Sequence, residues 1–262
     1  MDPVITLSPH EAVVPLVVIC EHAGNAYPKD AKYLGLTKEL FQTHIAYDIG
    51  AREVSIALAD MLGGVCACGH YSRLLVDLNR ASDDYCCVRE ISDQLIIPGN
   101  QGLSRHDFDA RIAQYHEPFH KQTDDVIASV REKFDNGIVA IVNIHSFTPQ
   151  LRGKSKRPWH AGILCNHDRR IGDALLAGFA VHYPQYQIGD NEPYSGMAAF
   201  NYTCRRHAIT HGLPHVAIEI SQGELSDAHG LNDKTVTRWA ECLAELLRPI
   251  METNTIMQPF HG

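Results

Sequence analysis

The chain has 262 residues, 45% of them hydrophobic and 21% charged, and carries a formal net charge of −8 at pH 7. This composition excludes a disordered or fibrous protein, and no run approaches the roughly 18 apolar residues that span a bilayer. Lys and Arg are scattered, so nothing indicates the basic stripe of a nucleic-acid-binding surface. Met1–His10 lacks the basic segment of a signal peptide. We therefore expect one domain over residues 1–262, in the cytoplasm, without a membrane or nucleic-acid partner.

The eight cysteines stand at irregular spacings without a Cys-x-x-Cys pair, which is a poor pattern for structural zinc. Several lie in apolar runs, where cysteine behaves as a small buried hydrophobe. A disulfide framework is not expected in a chain without an export signal. We assign no chemistry to the cysteines and sort the sixteen histidines by their position relative to the predicted strands.

Short apolar runs rich in Val and Ile and bounded by turn residues predict the strands. These runs are Leu16–Cys20, Val65–His70, Leu74–Leu78, Ile138–Ile144, Gly162–Cys165 and Val216–Ile220. Helical patterns lie between them, starting at Thr37, running from Asp48 to Gly63-Gly64, and covering Asp107–Phe134 (with a break or kink at Pro118), Ile171–His182, Ala198–His211 and Leu231–Leu247. This alternation predicts an α/β fold with a mostly parallel mixed sheet sandwiched by helices. Functional sites in such folds form at the carboxyl ends of the strands.

The first predicted strand runs directly into Glu21 and His22, followed by Ala23 and Gly24. Small residues there would let the backbone approach a bound ion or substrate closely. His22 is then a candidate ligand. The alternative, a turn histidine bonded to backbone, is equally compatible with this segment.

A second imidazole, His145, follows the predicted strand Ile138–Ile144. Two histidines at one edge of a sheet indicate a zinc site, which in catalytic centres has three protein ligands and an open position. Asp48 and Glu21 are the candidates for the third ligand. From its position alone, Asp48 is slightly more typical of a helix N-cap.

Glu219 is the only charge in the apolar run Val216–Ile220. A carboxylate at such a position is costly unless it is paired, metal-bound or catalytic. It could act as general base toward a water molecule activated by zinc. The alternative is an ion pair with a nearby arginine.

Arg73 and Arg80 flank Asp77 in the segment after the second predicted strand. The planar guanidinium matches a substrate carboxylate with two hydrogen bonds. Alternatively, Asp77 forms a structural salt bridge with one of these arginines. The turn-rich segment Asn191–Met197 could line a pocket.

Six motifs in chain order resemble the N-formylglutamate amidohydrolase family. They are Cys20–Pro28, Tyr47–Gly50, Ser72–Arg80, His145–Pro149, Asn191–Ser195 and Ile218–Ile220, and together they extend over residues 15–221, most of the chain. The resemblance implies a fold similar to zinc-dependent carboxypeptidases and aspartoacylase, with the metal at the strand ends. It implies His22 and His145 as zinc ligands, Glu219 as catalytic carboxylate, and Arg73, Asn79 and Arg80 as substrate contacts.

One position departs from the carboxypeptidase-like pattern, in which His-x-x-Glu supplies two ligands. Here the residue three after His22 is Asn25, an amide. The third ligand must come from elsewhere, and we choose Asp48 over Glu21.

The reaction that the resemblance implies is zinc-dependent hydrolysis of an N-formyl or other small N-acyl amide of an acidic amino acid. Two alternatives stay open: a zinc hydrolase of another N-acyl amino acid, and a metal-free binding protein on the same fold, for which Asn25 is the supporting feature. His207 either faces the pocket or lies on the surface.

Overall fold

The computed structural model describes residues 4–8, 10–134, 137–198, 201–253, 258 and 260. Within these residues the chain forms a seven-stranded sheet. Its strands are β1 (Ile5–Leu7), β2 (Leu16–Cys20), β3 (Val65–Gly69), β4 (Ala140–Phe147), β5 (Ala161–Leu164), β6 (Ile188–Asp190) and β7 (His215–Ser221). In space they follow the order β1-β3-β2-β4-β7-β5-β6.

Most neighbouring strands of this sheet run parallel. The parallel pairs are β2 with β3, β2 with β4, β4 with β7, and β5 with β6. The edge strand β1 pairs antiparallel with β3, and β5 pairs antiparallel with β7. The mostly parallel mixed sheet predicted from the sequence is therefore confirmed.

Helices cover both faces of the sheet. The α-helices are α1 (Ala51–Leu62), α2 (Arg105–Arg111), α3 (Glu117–Lys133), α4 (Arg170–His182), α5 (Tyr202–His207), α6 (Gln222–Leu225) and α7 (Asp233–Met251). Alternate residues of β2 point to opposite faces: Val18 packs in the core under α1, α4 and α7, whereas Ile19 packs in the core under α3. Among the described residues, no helix combines the length and the apolar character needed to cross a membrane.

The strand predictions hold wherever the chain is buried between two helical layers. Leu16–Cys20 is β2 residue for residue, and the runs that became β3, β4, β5 and β7 shift by one to three residues at their ends. The three-residue strands β1 and β6 were not predicted. The sequence prediction of a strand at Leu74–Leu78 is wrong: these residues form turns, closed by the bond from the Leu75 N–H to the Ser72 carbonyl. Their apolar side chains are nevertheless buried, which explains the strand-like composition.

The helix predictions differ mainly where the backbone leaves regular α-helical geometry. Asp107–Phe134 divides into α2 and α3, joined by a π-helical turn at Ile112–His116, with Pro118 in the first turn of α3. The region after Thr37 forms only a short 3₁₀ turn, Leu40–Gln42. The predicted helix Ala198–His211 is reduced to α5 and a 3₁₀ turn, and its residues 199 and 200 lie outside the described ranges.

Candidate active site

A cavity of about 230 Å³ opens at the carboxyl edge of the adjacent strands β2, β4 and β7. It brings together all seven site residues predicted from the sequence. Its lining consists of His22, Asp48, Arg73, Asp77, Asn79, Arg80, Arg89, His145, Ser146, Tyr194 and Glu219. The position agrees with the rule that parallel sheets carry their sites at strand ends.

His22, two residues beyond β2, presents one ring nitrogen to the site. Its Nε2 donates to Asp77 Oδ1 at 2.7 Å, and the pKa of Asp77 is well below its usual range because the hydrogen bond from His22 and the charge of Arg89 outweigh the effect of burial. Burial and the charge of Arg73 lower the pKa of His22 to about 4. The ring is therefore neutral with its proton on Nε2. Its buried Nδ1 has no hydrogen-bond partner among the described residues and carries a lone pair toward the site.

His145 lies inside β4, not after its end, because β4 continues to Phe147 in register with β7. Its Nδ1 lies 2.8 Å from Asp48 Oδ2, and its Nε2 lies 3.3 Å from Glu21 Oε1. Burial would lower the pKa of His145, but the carboxylates of Glu21 and Glu219 outweigh burial and raise it.

Asp48 joins the two histidines and does not cap a helix. Gly50, with a positive φ of 80°, occupies the N-cap position of α1, so the N-cap interpretation of Asp48 is wrong. The Asp48 Oδ2 atom lies 2.8 Å from His145 Nδ1 and 3.6 Å from His22 Nδ1. The other oxygen, Oδ1, is paired with the guanidinium of Arg73.

Glu21 lies behind the two imidazoles and is fully buried. Its Oε1 accepts a hydrogen bond from Thr203 Oγ1 at 2.8 Å, and its Oε2 accepts one from Asn143 Nδ2 at 2.7 Å. One carboxylate oxygen of Glu21 and one ring nitrogen each of His22 and His145 lie within 4.8 Å of one another, a spacing that suits a metal ion. Glu21 and Asp48 both remain geometric candidates for the third ligand.

Glu219 faces the same cavity from β7, directly beside His145 in the β4–β7 register. Burial raises its pKa, and the positive charges of His145 and Arg73 offset only part of that effect. A carboxylate with a raised pKa is suited to accept and return a proton near neutral pH.

Arg73, Asn79 and Arg80 also line the cavity. Asp77 forms an ion pair with Arg89, whose Nη2 lies 2.7 Å from Asp77 Oδ2. Sequence reasoning missed Arg89, which no motif surrounds. Tyr194 confirms that the segment Asn191–Met197 contributes to the pocket.

Gly24 and Asn25 play structural roles. An added Cβ on Gly24 would lie 2.0 Å from the His70 carbonyl oxygen, so the glycine permits a close approach of two backbone segments and not of a ligand. The Asn25 side chain donates to the Phe41 carbonyl at 2.8 Å and is absent from the cavity lining.

The site contains the groups that hydrolysis of an amide requires: a carboxylate with a raised pKa, two imidazoles with carboxylate partners, and guanidinium groups for an anionic substrate. This chemistry places the chain among hydrolases. A family model described as N-formylglutamate amidohydrolase matches residues 14–225. The chain therefore belongs to the N-formylglutamate amidohydrolase family, a family of amide hydrolases.

Solved structures similar to this chain share its fold. A gene product from Agrobacterium tumefaciens is 29% identical, with a TM-score of 0.88 over 97% of this chain and 96% of that one. N-formylglutamate amidohydrolase from Ralstonia eutropha is 21% identical, with a TM-score of 0.68 over 96% and 98%. A bacteriophage poly-gamma-glutamate hydrolase shares the fold at 9% identity, with a TM-score of 0.50 over 98% and 93%. None of the curated proteins matches the chain.

Proposed function

We propose that this protein is a zinc-dependent amidohydrolase that cleaves a small N-acyl amide, such as an N-formyl group, from an acidic amino acid. The observation that carries the proposal is the buried Nδ1 of His22, which has no hydrogen-bond partner among the described residues and lies beside His145 and Asp48. A buried acceptor without a partner is costly. A cation at this position would satisfy it.

The donor set fits zinc, because zinc prefers imidazole nitrogen and carboxylate oxygen and leaves one position open in catalytic sites. We assign the ligands to His22, His145 and Asp48. The Nδ1 atoms of both rings face Asp48 Oδ2, while their Nε2 atoms point away, toward Asp77 and Glu21 respectively. Carboxylates on the far side of ligating imidazoles commonly orient them. Zinc bound here would supply Lewis-acid polarisation of the amide carbonyl and lower the pKa of a water molecule to about 7.

The protein's own groups then complete the reaction. Glu219 accepts a proton from the attacking water and delivers it to the nitrogen of the departing amino acid, which balances the hydrolysis. Arg73 holds Asp48 and, together with Asn79 and Arg80, binds the carboxylate of the substrate. A cavity of about 230 Å³ is below the usual range for drug-sized ligands, about 300–1,000 Å³, which supports a small substrate.

Metal content and a substrate panel test the proposal. We expect about one zinc per chain, since the proposed site has three protein ligands. Purified enzyme should hydrolyse N-formyl and other short N-acyl derivatives of glutamate and aspartate, and activity should vanish with a chelator and return with zinc. Full activity in metal-free protein would contradict zinc dependence. Zinc binding without hydrolysis of any N-acyl amino acid would instead favour a binding protein.

Carboxylate recognition by the arginines gives a second test. Arg80→Lys and Arg73→Lys should each raise KM for the acidic substrate about tenfold to a hundredfold, because lysine loses the planar fork that makes charge-assisted hydrogen bonds. The uncharged amide of the same substrate should be affected much less. Arg111→Lys is the control, since Arg111 bonds to Asn100 and to backbone carbonyls outside the cavity. If neither cavity substitution changes the preference for the carboxylate over the amide, both arginines are structural.

A further inference from the structure

A chain of buried polar groups connects α3 and α5 behind the substrate-binding wall. His120 Nε2 lies 2.9 Å from the Leu78 carbonyl oxygen, and His120 Nδ1 lies 2.8 Å from His207 Nε2. His207 Nδ1 lies 2.7 Å from Asp124 Oδ1. Both rings are buried, whereas the side chain of Asp124 is 47% exposed. The chain therefore runs from the interior to the surface, and His207 faces neither the pocket nor the solvent.

The hydrogen bonds of this chain determine how many protons it holds. The Leu78 carbonyl can only accept, so His120 Nε2 carries a proton. An ionised Asp124 can only accept, so His207 Nδ1 carries a proton. The contact between the two rings needs a third proton. Two neutral imidazoles carry only two protons, so the pair of rings has one extra proton and one positive charge, which the carboxylate of Asp124 balances.

The surroundings locate that charge on His207. Burial and the neighbouring His116 and His207 lower the pKa of His120 far below its usual range, which keeps His120 neutral. The pKa of Asp124 would be raised by burial, but His207 and Arg206 lower it overall. Arg206, Glu117 and Tyr202 also face this chain. Arg131 and His211 line the surface groove that contains Asp124 and His207. Arg206 Nη2 lies 3.5 Å from Asp124 Oδ2 and helps to keep that carboxylate ionised.

The same geometry argues against a metal in this cluster. Each nitrogen of His120 and His207 already faces its own partner in the chain. Within the described part of the chain, ligating side chains with metal-like spacing occur around His22 and His145 and not in this cluster.

This hydrogen-bonded chain ends on the segment around Asn79, which binds the substrate in the proposed function. His120 holds the carbonyl before Asn79, and His116 Nε2 holds the carbonyl of Arg80 at 2.8 Å. The Asn79 side-chain oxygen accepts a hydrogen bond of 2.9 Å from the Thr203 N–H. Thr203 and His207 both belong to α5. The backbone on each side of Asn79 and its side chain are thus fixed by the same two helices.

We propose that His207 is doubly protonated, that His120 and Asp124 lock it in a three-proton chain, and that this chain positions Asn79 and Arg80 for the carboxylate of the substrate. The inference rests on the proposed function only in its kinetic consequence. His120 and His207 are positioning residues, because neither lines the cavity.

Nitrogen NMR of ¹⁵N-histidine-labelled protein tests the proton count without any turnover. Resonances are assigned with His120→Gln and His207→Gln variants. We expect both nitrogens of His207 to be protonated, and His120 to carry one proton on Nε2, at the pH of the activity measurements. A His207 ring with one bare nitrogen would overturn the proposal. Because no substrate is used, this outcome stays interpretable even if the protein hydrolyses none of the N-acyl amino acids.

Kinetics test the positioning role. His120→Phe keeps the ring but removes the donor to Leu78, and should raise KM for the acidic substrate about tenfold, the cost of leaving a buried carbonyl unsatisfied. The preference for the free carboxylate over its amide should fall with it, while kcat changes less. His120→Gln, whose amide can still donate to the Leu78 carbonyl, should recover much of the wild-type KM and of the preference for the carboxylate.

Two further variants keep the kinetic test decisive. Asp124→Asn changes a half-exposed side chain, so it should fold even if His120→Phe does not, and it should lower the carboxylate preference in the same direction. His215→Phe is the matched control, a buried histidine bonded to the Leu213 carbonyl and Asn166. It should reduce thermal stability without changing the preference. If all variants lower thermal stability without changing the carboxylate preference, as His215→Phe should, the hydrogen-bonded chain has only a structural role.

Discussion

Glu219→Gln should lower kcat by about 10²–10⁴-fold, the usual contribution of a general acid–base group. Glutamine preserves the size and most hydrogen bonds of the side chain but cannot accept the proton of the attacking water. Zinc content and KM should stay near the wild-type values, because Glu219 is assigned neither as a ligand nor as a carboxylate-binding group. Stopped assays at saturating substrate measure kcat, and metal analysis of the same preparation measures the zinc content.

Glu224→Gln provides the matched control for this substitution. Glu224 lies in α6, directly after β7, and does not line the cavity, so its loss should leave kcat unchanged. A stable, zinc-loaded Glu219→Gln enzyme with wild-type kcat would reduce Glu219 to a buried structural partner. Loss of zinc from that variant would make Glu219 a ligand and would require a different proton acceptor.

The fold was largely predictable because its central strands are buried on both faces. Such strands are apolar throughout, and Leu16–Cys20 was predicted with its observed bounds. The same criterion failed at Leu74–Leu78, where turns pack equally apolar side chains against the core under α3. Composition reports burial, and a buried turn has the same composition as a buried strand. Only the hydrogen bonds between segments distinguish them.

The site was predictable to the extent that polar residues interrupt or follow those strands. That signal predicted His22, His145 and Glu219, since an apolar strand has no packing reason to include them, and all three line one cavity. It could not predict hydrogen bonds between distant parts of the chain. Thr203 bonds to Glu21 across 182 positions, and His207 bonds to His120 across 87. Pairings of this kind are set by tertiary packing and leave no local pattern in the sequence.

The third zinc ligand is the assignment with the largest expected consequence for metal binding. Asp48→Asn should weaken zinc binding by at least about a hundredfold and abolish activity at trace zinc. Structural zinc sites bind with about 10–16 kcal/mol, so one of three or four ligands is worth about 3 kcal/mol or more, and each 1.4 kcal/mol is tenfold. Asparagine keeps the shape and can still contact Arg73, so the variant should remain folded. Competition with a zinc chelator measures the affinity directly.

Glu21→Gln is the matched comparison, because Glu21 is the other carboxylate within reach of the imidazoles. If Glu21 only orients His145 from behind, its replacement should cost about 10–100-fold in zinc affinity, as outer partners of ligands do. Asp48→Asn should then be the weaker binder of the two. The reverse order, with zinc lost from Glu21→Gln and retained by Asp48→Asn, would transfer the ligand role to Glu21. In that case the pairing of Asp48 with Arg73 would be what places this carboxylate in the cavity, as a support for the arginine and not as a ligand of the metal.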